Sequence, residues 1–283
     1  MADTRLRDRL ATRNFFVVPG IHDMIAAVIA DRVGFEIVYG TGYWLTASAY
    51  GMPDAGLVTY TQMLDRHATI MRTSKAALIA DADTGFGGLL NIQHTVRGYE
   101  AAGISAIQIE DQEFPKKCGH TPYRRVIPIE EMVRKIRVAV ETRDDMLVIA
   151  RTDARQSEGM DGVLRRLDAY AKAGADILFP EAMESEEEMR LACSTFDNPV
   201  MANMANGGST PVLNGAVLKE IGYAFAIYPS LSSLIAASAI ETAFLKLRDE
   251  GDGEPDDMPM FDFKEFCSLI GFDDVWNFEK RWA

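Results

Sequence analysis

Acidic residues close four consecutive apolar runs of this chain. Asp81-Ala82-Asp83 ends one, Glu110-Asp111 the next, Arg151-Thr152-Asp153 the third and Glu181 the fourth. Tyr39-Gly40-Thr41-Gly42 ends an earlier run, Asn203 ends a later one, and Asp54 lies in the loop after Gly42. Carboxylates gathered at one mouth repel, and desolvation makes the repulsion worse. Something positive must compensate. Arg151 is one candidate and a divalent cation is another. An all-oxygen donor set suits Mg²⁺, with Mn²⁺ as the alternative. Mg²⁺ keeps several of its waters, so one or two of the acids suffice for direct contact. Asp81 and Asp83 stand two apart on extended chain and so share a face. Any one of these acids is equally well explained as a helix cap or an ion-pair partner. As a set they point to a metal-supported site.

The second chemical signal is Phe114-Pro115-Lys116-Lys117-Cys118-Gly119-His120. The loop is long, polar and bracketed by Pro115 and Pro122. Lys116, Lys117 and His120 surround Cys118 with positive charge, which is expected to lower the thiol pKa and fit it for proton transfer or nucleophilic attack. Such a loop can close over substrate and exclude water. The plain alternative is a solvated basic loop with an incidental cysteine. Zinc is not indicated, because His22, His67, His94 and His120 are scattered without a ligand spacing. Only His120 is placed for chemistry; the others fall on predicted helices. No lysine ends an apolar run, which argues against a Schiff base. The glycines of Asp83–Gly88 lack a phosphate-loop pattern and read as a flexible turn.

These groups need a scaffold that brings them to one place. Continuous apolar runs alternate with helical periods along the chain, as in sheets buried on both faces. The runs are 15–20, 36–42, 77–83, 106–111, 146–153, 177–181, 199–204 and 223–228. Helices are expected near 22–33, 59–72, 91–102, 129–142, 162–173, 185–195, 212–221 and 233–248. Gly34, Gly103, Gly174 and Gly222 stand where helices should end. Eight such units predict a (β/α)8 TIM barrel, with a doubly wound open sheet as the alternative. A barrel collects the strand C-termini at one mouth, where active sites lie.

The chain has 283 residues, 48% hydrophobic and 25% charged, with a net charge of −13. That composition excludes a disordered chain. The negative balance argues against nucleic acid and against anionic membrane surfaces. Cys118, Cys193 and Cys267 are no disulfide framework, no signal peptide is apparent and no apolar run reaches spanning length. A cytoplasmic protein is expected. Residues 1–250 read as the barrel domain. Residues 251–283 read as a linker and an apolar C-terminal helical tail that includes Phe261, Phe272, Trp276 and Trp282. That tail must bury itself, either on its own barrel or on another subunit.

Lys116-Lys117-Cys118-Gly119-His120 after Ile109-Glu110-Asp111, with Asp81-Ala82-Asp83-Thr84-Gly85-Phe86-Gly87 upstream, resembles the isocitrate lyase/phosphoenolpyruvate mutase superfamily. Ala150–Ala154, Phe179–Ala182 and Asn203 carry the same resemblance, which spans roughly 15–248. Size and spacing resemble the short branch of methylisocitrate lyase and 2,3-dimethylmalate lyase. The resemblance implies a Mg²⁺-dependent barrel, usually a homotetramer in which the last helix and tail swap between subunits. It implies that Asp81 and Asp83 bind metal while Asp54 and Glu110 hold its waters. Thr41, Gly42 and Tyr43 would grip a carboxylate. Cys118 would act as the acid on a closing loop with Gly119 and His120. Arg151 would bind a substrate oxygen, with Glu181 and Asn203 completing the pocket.

The implied reaction is carbon–carbon cleavage of a small 2-hydroxy dicarboxylate to a pyruvate-like enolate product. Hydrolysis or decarboxylation of oxaloacetate on the same Mg²⁺ site is the alternative. Cys118 favours the lyase over the mutase branch, whose lid carries asparagine. Two departures weaken methylisocitrate as substrate. Tyr228–Leu234 contains no Arg or Lys, and Asn206 stands where many relatives have glutamate. A smaller substituted malate or oxaloacetate is favoured.

Overall fold

The computed structural model describes residues 2–283. Eight strands are all parallel: β1 (Phe16–Ile21), β2 (Ile37–Gly40), β3 (Ala77–Asp81), β4 (Ala106–Glu110), β5 (Leu147–Thr152), β6 (Ile177–Pro180), β7 (Met201–Asn203) and β8 (Phe225–Tyr228). Their order is β6-β5-β4-β3-β2-β1-β8-β7, and one parallel bridge, Leu178 to Val200, joins the two ends. This is the sequential ring of a (β/α)8 barrel. An open doubly wound sheet would show a reversal of strand order, and there is none.

The helices are α1 (Arg5–Ala11), α2 (Met24–Val33), α3 (Gly42–Tyr50), α4 (Tyr60–Thr73), α5 (Leu89–Ala101), α6 (Ile129–Thr142), α7 (Arg155–Lys172), α8 (Glu186–Thr195), α9 (Gly215–Ile221), α10 (Leu231–Glu250), α11 (Phe263–Leu269) and α12 (Phe272–Trp282). Eight of the twelve described were expected, from α2 and α4 through α10. The short helix α1 and the helix α3 directly after β2 were not; the latter was read as loop. Gly42-Tyr43-Trp44-Leu45 has no polar face, so helical periodicity was invisible there. His22 lies before α2 rather than on it, because Asp23 is the N-cap and accepts from the Ala26 amide at 2.8 Å. Gly34 and Gly222 end their helices in the left-handed conformation, at φ +93° and +110°.

Two side-chain layers form. Inside the ring Val18, Ile37, Tyr39, Ile79, Ile149, Phe179, Met201 and Phe225 fill the barrel. Between strands and helices a larger core includes Leu78, Ile107, Val148, Leu178, Tyr99 and Tyr170. Alternate strand residues supply the two layers, as the period of two requires. Phe225 is fully buried and stacks on Phe16, with ring centres 5.1 Å apart.

The chain divides into two compact units, Met1–Ser232 and Ser233–Ala283. The first holds the whole ring of strands. The second holds most of α10 together with α11 and α12. In it, α12 buries none of its residues, and Phe272, Trp276, Phe278 and Trp282 are exposed.

Truncating Phe225 to alanine removes a ring from the barrel interior, where neighbours cannot collapse to fill it. The expected loss is about 3–5 kcal/mol, read as a lower urea midpoint at unchanged slope. A loss under about 1 kcal/mol would show that the barrel interior relaxes around the gap.

Candidate active site

Parallel pairing sets the first geometry. Asp81 pairs with Gln108 across β3 and β4, and Glu110 pairs with Arg151 across β4 and β5. All four are buried. Asp81 Oδ1 accepts from the Asp83 amide at 3.0 Å and from Gln108 Nε2 at 3.2 Å. Its Oδ2 accepts from the Gly42 amide at 3.3 Å and the Tyr39 hydroxyl at 3.4 Å. Gly42 opens α3, and a Cβ there would lie 2.8 Å from Asp81 Oδ2. Only glycine lets this helix start approach the carboxylate so closely. Thr41 is the buried N-cap residue of α3. Tyr43 is partly exposed and packs on Trp44 at 4.8 Å between ring centres.

Lys116 is the cation at the centre of the acidic cluster. It is buried and forms ion pairs with Asp54 and with Asp83, the latter at 2.8 Å. Burial alone would push its ammonium down. Asp83, Asp54, Glu110 and Asp81 reverse this and hold it well above the ordinary lysine value. Burial pushes the Asp83 carboxyl up to about 7, against the pull of Lys116. Glu110 is raised well above the carboxylate range, again by burial, with Arg151 opposing. One of its oxygens, Oε1, is buried without a hydrogen-bond partner.

Among the described residues no three carboxylate, thiol or imidazole groups converge tightly enough to enclose an ion. The donor set nevertheless fits a hard divalent cation: four buried carboxylates face one positive centre, and Glu110 Oε1 is unspent.

Arg151 organises the other half of the site. It grips Asp153 through two bonds of 2.9 Å, lies 3.5 Å from Glu110 and 3.7 Å from Glu181, and covers the Phe179 ring. Glu181 is fully buried and accepts from Asn203 Nδ2 at 3.1 and 3.2 Å. Asp153 is held by its backbone as well, since its amide donates to Asp111 Oδ1 at 2.9 Å.

The loop between β4 and α6 is stapled at its base by the Gln112–Val126 bridge. Its tip reaches this half of the site. A Cβ on Gly119 would stand 2.3 Å from Arg151 Nη2 and 2.8 Å from Glu181 Cγ, so the backbone lies directly on both side chains. His120 Nδ1 accepts from the Ser209 amide at 3.3 Å. That leaves the ring hydrogen on Nε2, which donates to Glu181 Oε1 at 3.1 Å. Gly208 is needed opposite, as a Cβ there would meet the imidazole at 2.8 Å.

Cys118 corrects the sequence expectation. Its thiol pKa is raised by burial, with a smaller opposing contribution from a backbone bond at His120. Lys116 turns away to Asp54 and Asp83 and supplies no thiolate-stabilising field. Cys118 is therefore suited to give a proton rather than to attack as thiolate. Asp54, Arg151 and Glu181 lie within electrostatic reach of it.

Every residue expected at the site is found at the strand C-terminal mouth or on its loops. Gln108 was missed as a site-building group, while Tyr39, Lys116 and Asp153 were noted at the mouth or on the loop without the partners the structure gives them. Gln108 had left a signal, a lone amide within the apolar run Ala106–Ile109. The remaining histidines take no part in this cluster. His67 is buried, bonds the Gly40 carbonyl at 3.1 Å and is pushed down to about 4 by burial. Iodoacetamide should modify Cys118 with a pH midpoint above the free-thiol value of about 8.5, read by mass spectrometry of its peptide. A midpoint below about 7.5 would restore the thiolate reading.

Comparison with known proteins agrees with this geometry. Residues 6–248 match the family described as phosphoenolpyruvate phosphomutase. The chain is 43% identical over 281 residues to 2,3-dimethylmalate lyase of Eubacterium barkeri, covering 99% of this chain and 97% of that one. It is 39% identical over 279 residues to a 2-methylisocitrate lyase of Halalkalibacterium halodurans, covering 99% and 93%. Oxaloacetate acetylhydrolase bound to 3,3-difluorooxalacetate superposes with a TM-score of 0.92 at 32% identity, over 98% of this chain and 95% of that one. Phosphonopyruvate hydrolase with oxalate and Mg²⁺ superposes at 0.88 and 30%, over 100% and 99%. On the family match over most of its length and on its identity to these relatives, this chain belongs to the phosphoenolpyruvate mutase/isocitrate lyase superfamily.

Proposed function

We propose that this chain is a divalent-metal-dependent carbon–carbon lyase, using Mg²⁺ with Mn²⁺ as substitute, that splits a small 2-hydroxy dicarboxylate of the substituted-malate kind. The observation that supports this reading is the half-buried Cys118 on the loop whose Gly119 backbone lies against Arg151 and Glu181, its thiol pKa raised by desolvation. Likeness to 2,3-dimethylmalate lyase supports it.

Asp81 and Asp83 would hold the metal, and Asp54 and Glu110 its waters. When bound, the cation supplies positive charge at the carboxylate and adjacent oxygen of the substrate. The start of α3, with Thr41 and Tyr43 on either side of the Gly42 that Asp81 holds, would receive a substrate carboxylate. Arg151 binds a second substrate oxygen and is kept in place by Asp153. Glu110 Oε1 is the unspent oxygen that would take the hydroxyl proton from the substrate when the carboxyl is ionised, and its raised pKa makes that form the stronger base. As that proton leaves, the C2–C3 bond breaks and the hydroxyl carbon becomes the ketone of a pyruvate-like acid. The electron pair stays on C3, beside the other carboxylate, and Cys118 delivers a proton there. This balance places the enolate on the departing carboxylic acid, not on the pyruvate-like fragment that the resemblance alone suggested. Gly119 lets the loop close, while His120, Glu181 and Asn203 form the wall that shuts out water.

A second reading follows from the likeness to oxaloacetate acetylhydrolase, in which oxaloacetate is the substrate. Proton NMR of the protein with 2,3-dimethylmalate and with oxaloacetate, in Mg²⁺ and in EDTA, separates the two. Metal-dependent cleavage of the malate is expected, with Cys118→Ser slowing it about 10²–10⁴-fold. Metal-dependent release of acetate and oxalate, or of pyruvate and CO₂, from oxaloacetate alone would move the assignment to a hydrolase or decarboxylase. A Cys118→Ser protein with full lyase activity would remove the proton-donor role.

We also propose a homotetramer in which the tail packs on a second copy, and a cytoplasmic location. The exposed Phe272, Trp276, Phe278 and Trp282 of α12 support the first; among the described residues no helix is long and apolar enough to cross a membrane. Trp276→Asp is expected to shift sedimentation toward smaller species, and an unchanged sedimentation coefficient would place the interface elsewhere.

A further inference from the structure

The turn after β3 holds an unusual run of backbone. Asp83 stands at φ +49°, and Gly85, Phe86 and Gly87 follow at +84°, +60° and +145°. Neither Asp83 nor Phe86 adopts that conformation cheaply, so the surroundings must impose it. The carbonyls of the turn show how. Ala82 O accepts from the Gly85 amide at 2.8 Å, and Asp83 O from the Glu110 amide at 2.9 Å. Gly85 O accepts from Thr95 Oγ1 at 3.3 Å. Thr84 O accepts from Lys135 Nζ at 3.0 Å. Three donors are neutral. The fourth is an ammonium sent in from α6.

Lys135 is out of pattern for its place. Met132, Ile136 and Ala139 are buried on α6, and Lys135 shares their stripe at helical spacing. It is only 6% exposed. Burial lowers its pKa, with Glu131 and Glu110 opposing. Methionine at this position would pack the helix as well and avoid burying a charge. What methionine could not do is donate to Thr84 O, the carbonyl of a buried turn residue that accepts from Lys135 Nζ.

We propose that Lys135 is a positioning residue for the carboxylate cluster: its charge-assisted bond to the Thr84 carbonyl clamps the 82–87 turn and so fixes where Asp83 presents its carboxylate. The inference rests on the metal reading of the site. Removing the ammonium frees Thr84 O and lets Asp83 relax toward ordinary backbone. The cluster then loses the geometry that a small, hard cation demands. Arginine can reach the same carbonyl and should restore the clamp.

The test compares Lys135→Met, Lys135→Gln and Lys135→Arg with the parent protein, using Tm to verify folding. Two quantities are read: Mn²⁺ binding by calorimetry, and amide exchange in the peptide covering 82–88. In Lys135→Met, or in Lys135→Gln if the first does not fold, exchange there should rise and the Mn²⁺ dissociation constant should rise about 10-fold or more. Lys135→Arg should stay within about 2–3-fold of the parent on both readouts. Native exchange in the Met or Gln variant overturns the clamp. Faster exchange with native Mn²⁺ affinity overturns its link to Asp83. A parent protein that ignores Mn²⁺ overturns the metal reading instead, and the exchange result alone then decides Lys135.

Discussion

Burying several carboxylates at one barrel mouth is the constraint on which this structure turns. Asp54, Asp81, Asp83 and Glu110 all act on one ammonium, that of Lys116. In a region with little water such charges repel strongly, and burial pushes Asp83 and Glu110 toward the protonated form. The molecule answers with cations on two sides. Lys116 enters from the loop after β4, and Arg151 rises from β5 to face Glu110 and Glu181. Neutral donors do the remaining work. Tyr39, Gln108 and the Gly42 amide occupy Asp81, and Asn203 and His120 occupy Glu181. Glu110 Oε1 is the oxygen that this arrangement leaves unspent.

Close approach follows from the same constraint. To hold small charges in fixed geometry, backbone must come nearer to them than a side chain permits. Gly42 does this against Asp81, Gly119 against Arg151 and Glu181, and Gly208 against His120. The cysteine-bearing loop thereby becomes part of the wall of the site. Lys116, two residues from its thiol in sequence, is spent on Asp54 and Asp83. Desolvation raises the thiol pKa, and proton donation is the chemistry it suits.

A further layer holds these groups without touching substrate. Asp111 accepts from Thr152 Oγ1 and the Tyr170 hydroxyl, both at 2.7 Å, from Arg166 at 3.2 Å and from the Asp153 amide at 2.9 Å. It thus ties α7 to the end of β5 just where Arg151 needs a rigid base. Lys135 does for β3 what Asp111 does for β5. In both cases an outer helix sends a polar side chain through its apolar face to the strand end, and the strand end carries the chemistry.

Much of this was written in the linear chain. Eight continuous apolar runs, each followed by a helical period and several closed by glycine, were enough for the barrel, because burial on both faces leaves a composition signal that needs no tertiary information. The acids at 81, 83, 110 and 181, with Arg151, Cys118 and His120, were legible because a barrel sends every strand C-terminus to the same mouth. Three things were not. The helix α3 lacks a polar face and looked like loop. The glycine turn at 83–88 read as flexible, yet its strained backbone is bonded from two helices. The sign of the Cys118 shift depended on how far the folded loop takes the thiol out of water. Sequence determines which charges are neighbours along the chain. Only the folded structure decides which are neighbours in space, how much water lies between them and which hydrogen bonds they make, and the pKa of a buried group answers to those quantities.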